Sequence, residues 1–533
     1  MDYTNHPFKS TRMPVYGANG AVATSQPLAA SAGLAVLRDG GNAVDAAIAT
    51  AAALTVVEPT SNGLGSDAFA LIWDGQELHG LNASGAGAGA LDADKLRARG
   101  LSAMPSRGWD PVTVPGAVDS WGMMAERFGR LPMQRLLAAA AEYAEKGYPV
   151  SPVVAFFWAK AALEFSQIEG AQYAGWRQAF LRDGKPPSAG QRWYNPGHAR
   201  TLKRLAEAGV RDYYEGEIAE QIVAFSNATG GILSADDLSR HHGEWVAPIG
   251  INYRDHTVWE IPPNGSGIIA LQALGMMDGL RAGTAHVDAD IWHQQIEAMK
   301  LAYADGHQYI ADPAKREVPA AGMLDPQYLA SRRALIGERA ANVLPGKPPA
   351  GGTVYLCTAD RDGMMVSFIQ SNYEGFGSGV VVPDWGISMQ NRGHGFSLEP
   401  GHVNEATAGQ RPYHTIIPSF LTRGAEAVGP FGVMGGFMQP QGHLQVAVGT
   451  VDHGLDAQAV LCAPRWRVEE GLTVSVESST PDAVVSGLRE RGHDVQFPDL
   501  DIGFGRGQVI WRKPDGCYEA GSEPRADGQV AAY

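Results

Sequence analysis

Thr353 stands directly after a segment rich in proline and glycine and opens a run of strand-forming residues. Residues 345–352 read PGKPPAGG, which fits neither a helix nor a central strand. If the chain is cut before Thr353, the freed α-amine, with a reference pKa of about 7.7 to 8.0, can take the proton of the residue's own hydroxyl. Gly352 suits such a cut because glycine tolerates strained backbone geometry. The alternative is an ordinary threonine that opens an edge strand.

Two further features can assist a threonine nucleophile. Residues 354–358 and 366–371 flank the turn signal Asp362-Gly363, which predicts a β-hairpin that brings Ser371 back opposite Thr353. Gly435 and Gly436 follow a predicted strand and can aim two successive backbone N–H groups at an oxyanion, although a tight turn explains the pair equally well.

The elements around these residues change character along the chain. The first 350 residues are mostly helical in pattern, and strands with turn signals dominate afterwards. An Ala-rich stretch at 45–58 predicts a buried helix, a cap at Ser234 begins a short one, and residues 340–352 form the one linker. The remaining predicted helices are 136–146, 202–208, 218–225, 293–304, 442–448 and 481–491, and the strands are 253–261, 379–383, 416–422, 428–432 and a pair near 495 and 508–512.

Composition excludes several functions. The chain has 57 acidic and 42 basic residues and a net charge of −15, which argues against a nucleic-acid partner. The longest apolar stretch, 45–58, is too short to span a bilayer, so no membrane partner is expected. Three cysteines and an N-terminus without a signal-like apolar run predict a cytoplasmic protein.

Several short motifs occur in the order and spacing of the γ-glutamyltransferase family, which the chain resembles from about residue 15 to its C-terminus. They are GGNAVDAA (40–47), YEG (214–216), ADDL (235–238), EAMK (297–300) with YAD (303–305), FGSG (376–379), RP (411–412) and GG (435–436).

The resemblance implies an N-terminal nucleophile hydrolase, made as one precursor that cuts itself and folds as a four-layer αββα sandwich. Residues 1–352 would form the large, mostly helical subunit, and 353–533 the small subunit. The family's nucleophile falls on Thr353, its hydroxyl partner on Ser371 and its oxyanion glycines on Gly435 and Gly436. No cofactor or metal is implied, and the assembly considered beyond the subunit pair is a dimer of processed heterodimers.

The chain also departs from the family pattern. The segment that supplies an arginine for a glutamate α-carboxylate reads NASGAG (82–87) here, without arginine, and His394-Gly395 replaces the acidic pair ahead of Phe396. His414-Thr415 stands where the family has two serines, and Val354-Tyr355 where it has Thr-His. Without a carboxylate pair a substrate ammonium is poorly held, which disfavours a glutamyl donor.

With QSNY (370–373), QNRG (390–393) and HTIIP (414–418), the chain resembles the cytoplasmic branch of the family that hydrolyses oxamate in purine catabolism. We therefore expect a small anionic amide as substrate, hydrolysed to oxalate and ammonia in the case of oxamate. Arg392 is the predicted carboxylate clamp, and the other predicted pocket residues are Asn372, Tyr373, His414 and Thr415. Arg392 as a solvated turn charge and His414 as a buried structural histidine are the alternatives.

Three other functions stay open: a γ-glutamyl hydrolase or transferase that acts on glutathione-like donors, an acylase for bulkier amides, and an unprocessed relative that binds a ligand without catalysis. Two other features carry no function. His293 and Glu297 have helical spacing but lack a second histidine, so no metal site is predicted. Cys357 is interpreted as an inert buried thiol.

Overall fold

The computed structural model describes residues 12–280, 282–283, 285–343, 352–499 and 501–533. The strands in this part of the chain are β1 (Val15–Gly17), β2 (Gly20–Thr24), β3 (Asp67–Trp73), β4 (Leu78–Ala83), β5 (Tyr148–Pro149), β6 (Arg192–Trp193), β7 (Glu244–Val246), β8 (Ile249–Tyr253), β9 (His256–Glu260), β10 (Gly352–Asp360), β11 (Met365–Tyr373), β12 (Val381–Val382), β13 (Ile387–Ser388), β14 (Ser419–Arg423), β15 (Glu426–Met434), β16 (Trp466–Val468), β17 (Thr473–Val476), β18 (Asp494–Gln496), β19 (Arg506–Arg512), β20 (Tyr518–Ser522) and β21 (Gln529–Ala532).

The α-helices of the same ranges are α1 (Pro27–Arg38), α2 (Ala43–Val57), α3 (Ala93–Ala98), α4 (Ala117–Phe128), α5 (Met133–Lys146), α6 (Pro152–Phe165), α7 (Ala174–Phe180), α8 (Pro196–Ala208), α9 (Asp212–Glu215), α10 (Glu217–Ala228), α11 (Ala235–Ser239), α12 (Gly267–Asp278), α13 (Ala289–Tyr309), α14 (Ala320–Met323), α15 (Pro326–Arg333), α16 (Met438–Val451), α17 (Ala459–Cys462) and α18 (Asp482–Glu490). None of these helices is long and apolar enough to cross a membrane.

Two seven-stranded antiparallel sheets form the centre of the molecule. One sheet has the strand order β21-β2-β10-β11-β3-β4-β7, and the other has the order β1-β20-β19-β15-β14-β9-β8. Both sheets combine strands from the first 350 residues with strands from the last 180, so neither half of the chain completes a sheet alone. Cutting the chain before Thr353 would leave two subunits that share one core.

Three apolar clusters separate four layers and confirm the αββα sandwich. Helices α1, α2 and α4 pack against the outer face of the β10 sheet, with α5 on α2, and α12 and α16 pack against that of the β15 sheet, with α13 on α12. The third cluster lies between the sheets, where Tyr355 and Ile369 of one face Phe420 and Ile510 of the other. Because successive side chains of a strand point to opposite faces, each central strand contributes to two clusters.

The Ala-rich stretch forms α2, as predicted. Asn42 and Asp45 make a reciprocal capping box at its start, and every residue from Ala43 to Val57 is buried. Small alanine side chains let this helix approach its neighbours closely, because they add little width to the helix.

The predicted hairpin after Thr353 forms as β10 and β11. The strand predicted at 253–261 forms as β9 but begins later, because β8 and β9 turn at Arg254, whose φ is +56°. One predicted strand pairing was wrong. The strands near 495 and at 508–512 do not pair, since β18 pairs with β17 and β19 lies between β15 and β20. Of the predicted linker, residues 344–351 lie outside the described residues.

Candidate active site

Thr353 on β10 and Ser371 on β11 face each other across the two strands of the hairpin. The register pairs Val354 with Gln370, and the Thr353 Oγ1 lies 3.1 Å from the Ser371 Oγ. Thr353 is only 1% exposed, so this hydroxyl pair is shielded from bulk water. The Ser371 Oγ also accepts a hydrogen bond of 2.7 Å from the Tyr373 backbone N–H, which fixes the serine rotamer.

Asp67 lies on β3, the strand next to β11, and adds a third polar residue beside this pair. It pairs with Ser371 between β3 and β11, and its neighbours two residues along each strand, Phe69 and Ile369, belong to the cluster between the sheets. Side-chain alternation therefore directs Asp67 and Ser371 to the same interior face. Sequence reasoning missed Asp67, although an acidic residue that opens the apolar run 68–73 directly after a glycine cluster is a usable signal.

The strand that leads to Gly435 lies across from the nucleophile strand. Tyr355 on β10 packs against Gly432 on β15, so closely that a Cβ built on this glycine would lie 2.5 Å from Tyr355 Cε2. Gly432 therefore has to be glycine to let the sheets approach here. Three residues after this contact the chain reaches Gly435, and two residues before it lies Thr353.

Strands β10 and β15 run in opposite directions, so the start of β10 lies near the end of β15. Tyr518 on β20 donates a hydrogen bond of 2.6 Å to the backbone oxygen of Asp360, the last residue of β10, and pairs with Arg512 on β19. Because β19 is antiparallel to β15, its Arg512 end lies beside the start of β15. The start of β10 with Thr353 therefore lies at the same end of the molecule as Gly435.

Gly435 and Gly436 adopt conformations that glycine permits and other residues resist. Their φ angles are +140° and +61°, and a Cβ on Gly435 would lie 3.1 Å from the Cα of Gly505. The Gly435 carbonyl accepts from the Met438 N–H at the start of α16. In a trans peptide the N–H points opposite to the carbonyl, so the Gly436 N–H points out of the turn. The positive end of the α16 helix dipole strengthens the attraction of this N–H group for an anion.

Arg392 is a buried cation with unused hydrogen-bonding capacity. It is 1% exposed, its Cζ lies 3.9 Å from the centroid of the Tyr373 ring, and its Nη1 donates to Thr415 Oγ1 at 2.9 Å. Its Nε and Nη2 have no hydrogen-bond partner among the described residues. Burial lowers its pKa to about 10, so the guanidinium remains charged at neutral pH. A solvated turn charge does not describe this residue.

His414 and Asp67 form a buried pair beside Arg392. The His414 Nδ1 accepts from the Ile416 N–H at 3.4 Å, so its Nε2–H donates to the Asp67 Oδ2 at 3.1 Å. Burial, followed by the charge of Arg392, lowers the pKa of His414 well below its usual range, and the ring is neutral. Burial raises the pKa of Asp67 to about 7, against the opposing attraction of Arg392.

The predicted pocket residues divide into two groups. Tyr373 and Thr415 contact Arg392, and His414 contacts Asp67, the residue paired with Ser371. The structure does not bring the Asn372 side chain to this cluster, because adjacent residues of a strand point to opposite faces. Its Oδ1 accepts from the Ser66 Oγ at 2.8 Å and its Nδ2 donates toward Ser388, on the other side of the sheet from Ser371.

The segment 82–87, where the family pattern has an arginine, reaches the site with other residues. The Gly85 N–H donates to the Asp67 Oδ1 at 3.2 Å, and Asn82 Nδ2 donates to the Asn264 Oδ1 at 3.0 Å. Asn82 and Gly85 of this segment are thus engaged with other parts of the chain, and Asn82 and Ser84 are buried.

The His293–Glu297 pair gains an unforeseen neighbour, His493, in the fold. His293 Nδ1 and His493 Nε2 lie 2.8 Å apart, and the carboxylate of Glu297 is close enough to complete a cation-sized group. However, the Lys300 ammonium lies 2.8 Å from Glu297 Oε1, and the other nitrogen of His293 donates to Gly337 O. A cation would have to displace this lysine charge, so we infer no metal here.

Cys357 is fully buried on β10, two residues beyond Tyr355. Burial raises the pKa of its thiol well above the usual range, which keeps it protonated and inert.

Comparison with known proteins agrees with the fold and the site. The gamma-glutamyltranspeptidase family model matches residues 29–533. The oxamate amidohydrolase proenzyme of Klebsiella pneumoniae is 35% identical over 97% of this chain and 98% of its own, and the glutathione hydrolase-like YwrD proenzyme of Bacillus subtilis is 34% identical over 96% and 98%. The crystal structure of cephalosporin acylase from Bacillus halodurans is 51% identical, with a TM-score of 0.95, and covers 100% of this chain and 99% of its own.

These relatives are amide hydrolases, and two of them are made as proenzymes. Their similarity extends over nearly the whole chain, including both sheets and both sides of the Gly352–Thr353 bond. The chain belongs to the gamma-glutamyltranspeptidase family and is an amidohydrolase of the N-terminal nucleophile type.

Proposed function

We propose that this protein cuts itself between Gly352 and Thr353 and then hydrolyses a small anionic amide such as oxamate to oxalate and ammonia. The observation that carries the substrate class is Arg392, a buried guanidinium over the ring of Tyr373, two residues after Ser371, with two nitrogens left to bind an anion. Burying such a cation is costly unless an anion offsets it, which a substrate carboxylate does.

In this proposal the nucleophile and the base belong to one residue. After the cut, the α-amine of Thr353 takes the proton from its own hydroxyl, and the Oγ1 attacks the amide carbon. Ser371, 3.1 Å from that oxygen, orients the hydroxyl by hydrogen bonding. Gly435 and Gly436 donate backbone N–H groups to the oxyanion.

The intermediate collapses when the carbon–nitrogen bond breaks. The proton held on the α-amine passes to the departing nitrogen, and ammonia leaves. Water, deprotonated by the same amine, then attacks the Thr353 ester, releasing the acid and restoring the hydroxyl. All groups needed for these steps come from the chain and from water.

Recognition of the anion is assigned to Arg392, with Thr415 and Tyr373 holding the guanidinium in place. In oxamate the carboxylate is bonded directly to the amide carbon, so a clamp next to the nucleophile suits it. The Nε and Nη2 of an arginine lie in one plane and match the two oxygens of a carboxylate.

The direct test is to measure ammonia release from oxamate alongside the release of the chromophore from a γ-glutamyl anilide, using the processed protein and Thr353→Ala as the blank. We expect oxamate to be hydrolysed with the higher kcat/KM. Turnover of the glutamyl anilide alone would contradict the proposal and favour the γ-glutamyl hydrolase. Turnover of neither by a chain that stays whole would favour the ligand-binding relative.

A second candidate is an acylase for bulkier amides. The similarity to the cephalosporin acylase of Bacillus halodurans, and the 31% identity to the acylase ACY 1 proenzyme of a Pseudomonas species, favour it. An N-acylated cephalosporin nucleus added to the same assay separates the two. A higher kcat/KM on that substrate than on oxamate would move the assignment to the acylase.

Within this proposal, residues 1–352 are the large subunit, 353–533 the small one, and two such heterodimers associate. A cytoplasmic location is supported by the small number of cysteines, three in the whole chain.

A further inference from the structure

A cavity of about 400 Å³ adjoins the candidate active site. Its walls include four aromatic rings, those of Tyr373, Phe396, Tyr413 and Phe437, and we call it the aromatic cavity. Its size lies in the range of small-molecule pockets. Oxamate is far too small to fill it.

Two residues that line the aromatic cavity are close in sequence to the predicted catalytic residues. Tyr373 comes two residues after Ser371 on β11, and Phe437 follows Gly436 at the start of α16. The Arg392 Cζ lies 3.9 Å from the centroid of the same Tyr373 ring. The cavity is therefore connected to the anion clamp through Tyr373 and to the oxyanion turn through Phe437.

Flat rings stack along one wall of the cavity. The Tyr413 and Phe437 centroids lie 5.8 Å apart with their planes 15° from parallel, and the His307 ring lies 5.9 Å from Tyr413 at 18° and 5.8 Å from Phe437 at 32°. Burial lowers the pKa of His307 to about 4, so the ring is neutral at neutral pH. Aromatic faces of this kind favour a flat, uncharged partner.

Two histidines offer the cavity one hydrogen-bond acceptor and one hydrogen-bond donor. His394 Nδ1–H donates to the Met104 carbonyl at 2.7 Å, whereas His402 Nδ1 accepts from the Asn404 N–H at 3.0 Å. In the neutral rings this leaves an acceptor Nε2 on His394 and a donor Nε2–H on His402. None of the described residues that line the cavity is Lys, Arg, Asp or Glu.

An amide carries one substituent on its carbonyl carbon, which we call the carbon arm, and one on its nitrogen, which we call the nitrogen arm. Under the proposed function, on which this inference rests, the carbon arm carries the carboxylate and binds Arg392. The aromatic cavity has no fixed cation to hold a carboxylate, so it suits the other arm. We propose that the cavity binds the nitrogen arm of the substrate, and that the preferred substrate is an anionic amide whose nitrogen carries a flat aromatic or heteroaromatic group.

The chemistry is the hydrolysis already described, with a substituted amine as leaving group. The Thr353 Oγ1 forms a bond to the amide carbon, the carbon–nitrogen bond breaks, and the amine departs with the proton that the α-amine had taken. Water then hydrolyses the ester to oxalate. Atoms and charges balance without any added reactant.

The test compares oxamate, N-benzyloxamate and N-cyclohexylmethyloxamate as substrates of the processed enzyme, with oxalate release as the readout. The two substituted amides have the same length and differ in the flatness of the ring and, to a smaller degree, in the basicity of the departing amine. We expect kcat/KM for N-benzyloxamate to exceed that for oxamate at least tenfold, and that for the cyclohexylmethyl compound about fivefold.

A cavity-filling variant locates the effect. Ser397 lines the aromatic cavity, and Ser397→Trp should lower the ratio of kcat/KM for N-benzyloxamate over oxamate at least tenfold. Ser188→Trp, at an exposed serine outside the cavity, is the matched control and should leave the ratio unchanged. If Ser397→Trp does not fold, the wild-type comparison decides alone.

The outcomes separate the two proposals. Turnover of oxamate with weaker turnover of N-benzyloxamate overturns the nitrogen-arm site and leaves the proposed function standing. Equal rates on the benzyl and cyclohexylmethyl compounds, or a ratio unmoved by Ser397→Trp, also overturn it. Hydrolysis of none of the three amides contradicts the proposed function itself.

Discussion

The hydroxyl of Thr353 lies 3.1 Å from the hydroxyl of Ser371, across two neighbouring strands that share one hairpin. The proposed cut takes place before Thr353, and Ser371 orients the hydroxyl of that threonine. Because the hairpin register fixes both positions, the pair is already assembled in the uncut chain. The same hydroxyl can therefore serve in self-cleavage and, afterwards, in hydrolysis.

Replacing Ser371 should impair both reactions. In Ser371→Ala the Thr353 hydroxyl loses its partner, and we expect self-cleavage and kcat on oxamate to fall about 10- to 100-fold, the worth of a hydrogen bond to a charged or reacting group. Ser367→Ala is the matched control, since Ser367 is a buried serine on the same face of β11 that bonds Tyr355 Oη instead. Equal losses in both variants would assign Ser371 a purely structural role.

Adding a methyl group at Gly435 should disable the oxyanion turn. In Gly435→Ala the new Cβ would lie 3.1 Å from Gly505 Cα at a φ of +140°, so the turn must move. We expect kcat on oxamate to fall about 100-fold or more, as for loss of an oxyanion donor. Gly424→Ala also has a positive φ but open space around it, and should retain kcat. Retention of kcat by Gly435→Ala would remove this turn from the mechanism.

Arg392 should determine the preference for anionic substrates. We expect Arg392→Gln to lower kcat/KM on oxamate about 10²- to 10³-fold, because a buried charge pair with the carboxylate is lost. The loss on oxamide, a neutral diamide of the same shape, should be far smaller, and Arg392→Lys should lie between. A similar loss on both substrates would mean that Arg392 supports the fold rather than the anion.

Asp67 should make oxamate binding depend on pH. Its pKa is raised to about 7 by burial, so the neutral carboxyl below that pH leaves the Arg392 charge uncompensated, and the carboxylate above it offsets that charge. Neutral His414 and the more distant Arg411 do not change this sign. We expect KM for oxamate to rise as pH increases through about 7, and the rise to vanish in Asp67→Asn. A KM profile shared by both proteins would contradict the assignment.

Much of the catalytic geometry could be predicted because it depends on local sequence. The Asp362-Gly363 turn sets the register that pairs Val354 with Gln370 and brings the Thr353 and Ser371 hydroxyls together, whereas the register shift between Gly352 and Val354 has no such local signal. The Ala-rich run predicted α2 for the same reason. These features need no knowledge of distant parts of the chain.

The remaining features depend on contacts between distant residues. Asp67 meets His414 across 347 positions of sequence, and neither residue shows in its own neighbourhood that it will have a partner. The resemblance of QSNY (370–373) to the family branch predicts Asn372 in the pocket, but the alternation of the strand turns its side chain to the other face. His493 joins His293 across 200 positions, which no local spacing reveals.

The most direct test of the central claim is the intact mass of the purified protein under denaturing conditions, with Thr353→Ala measured beside it. We predict two fragments from the wild-type chain, the smaller beginning at Thr353 and ending at Tyr533, and one species of 56.6 kDa from the variant. A wild-type chain that remains whole at 56.6 kDa, or a Thr353→Ala chain that is still cut, would contradict the account of Thr353 as the nucleophile.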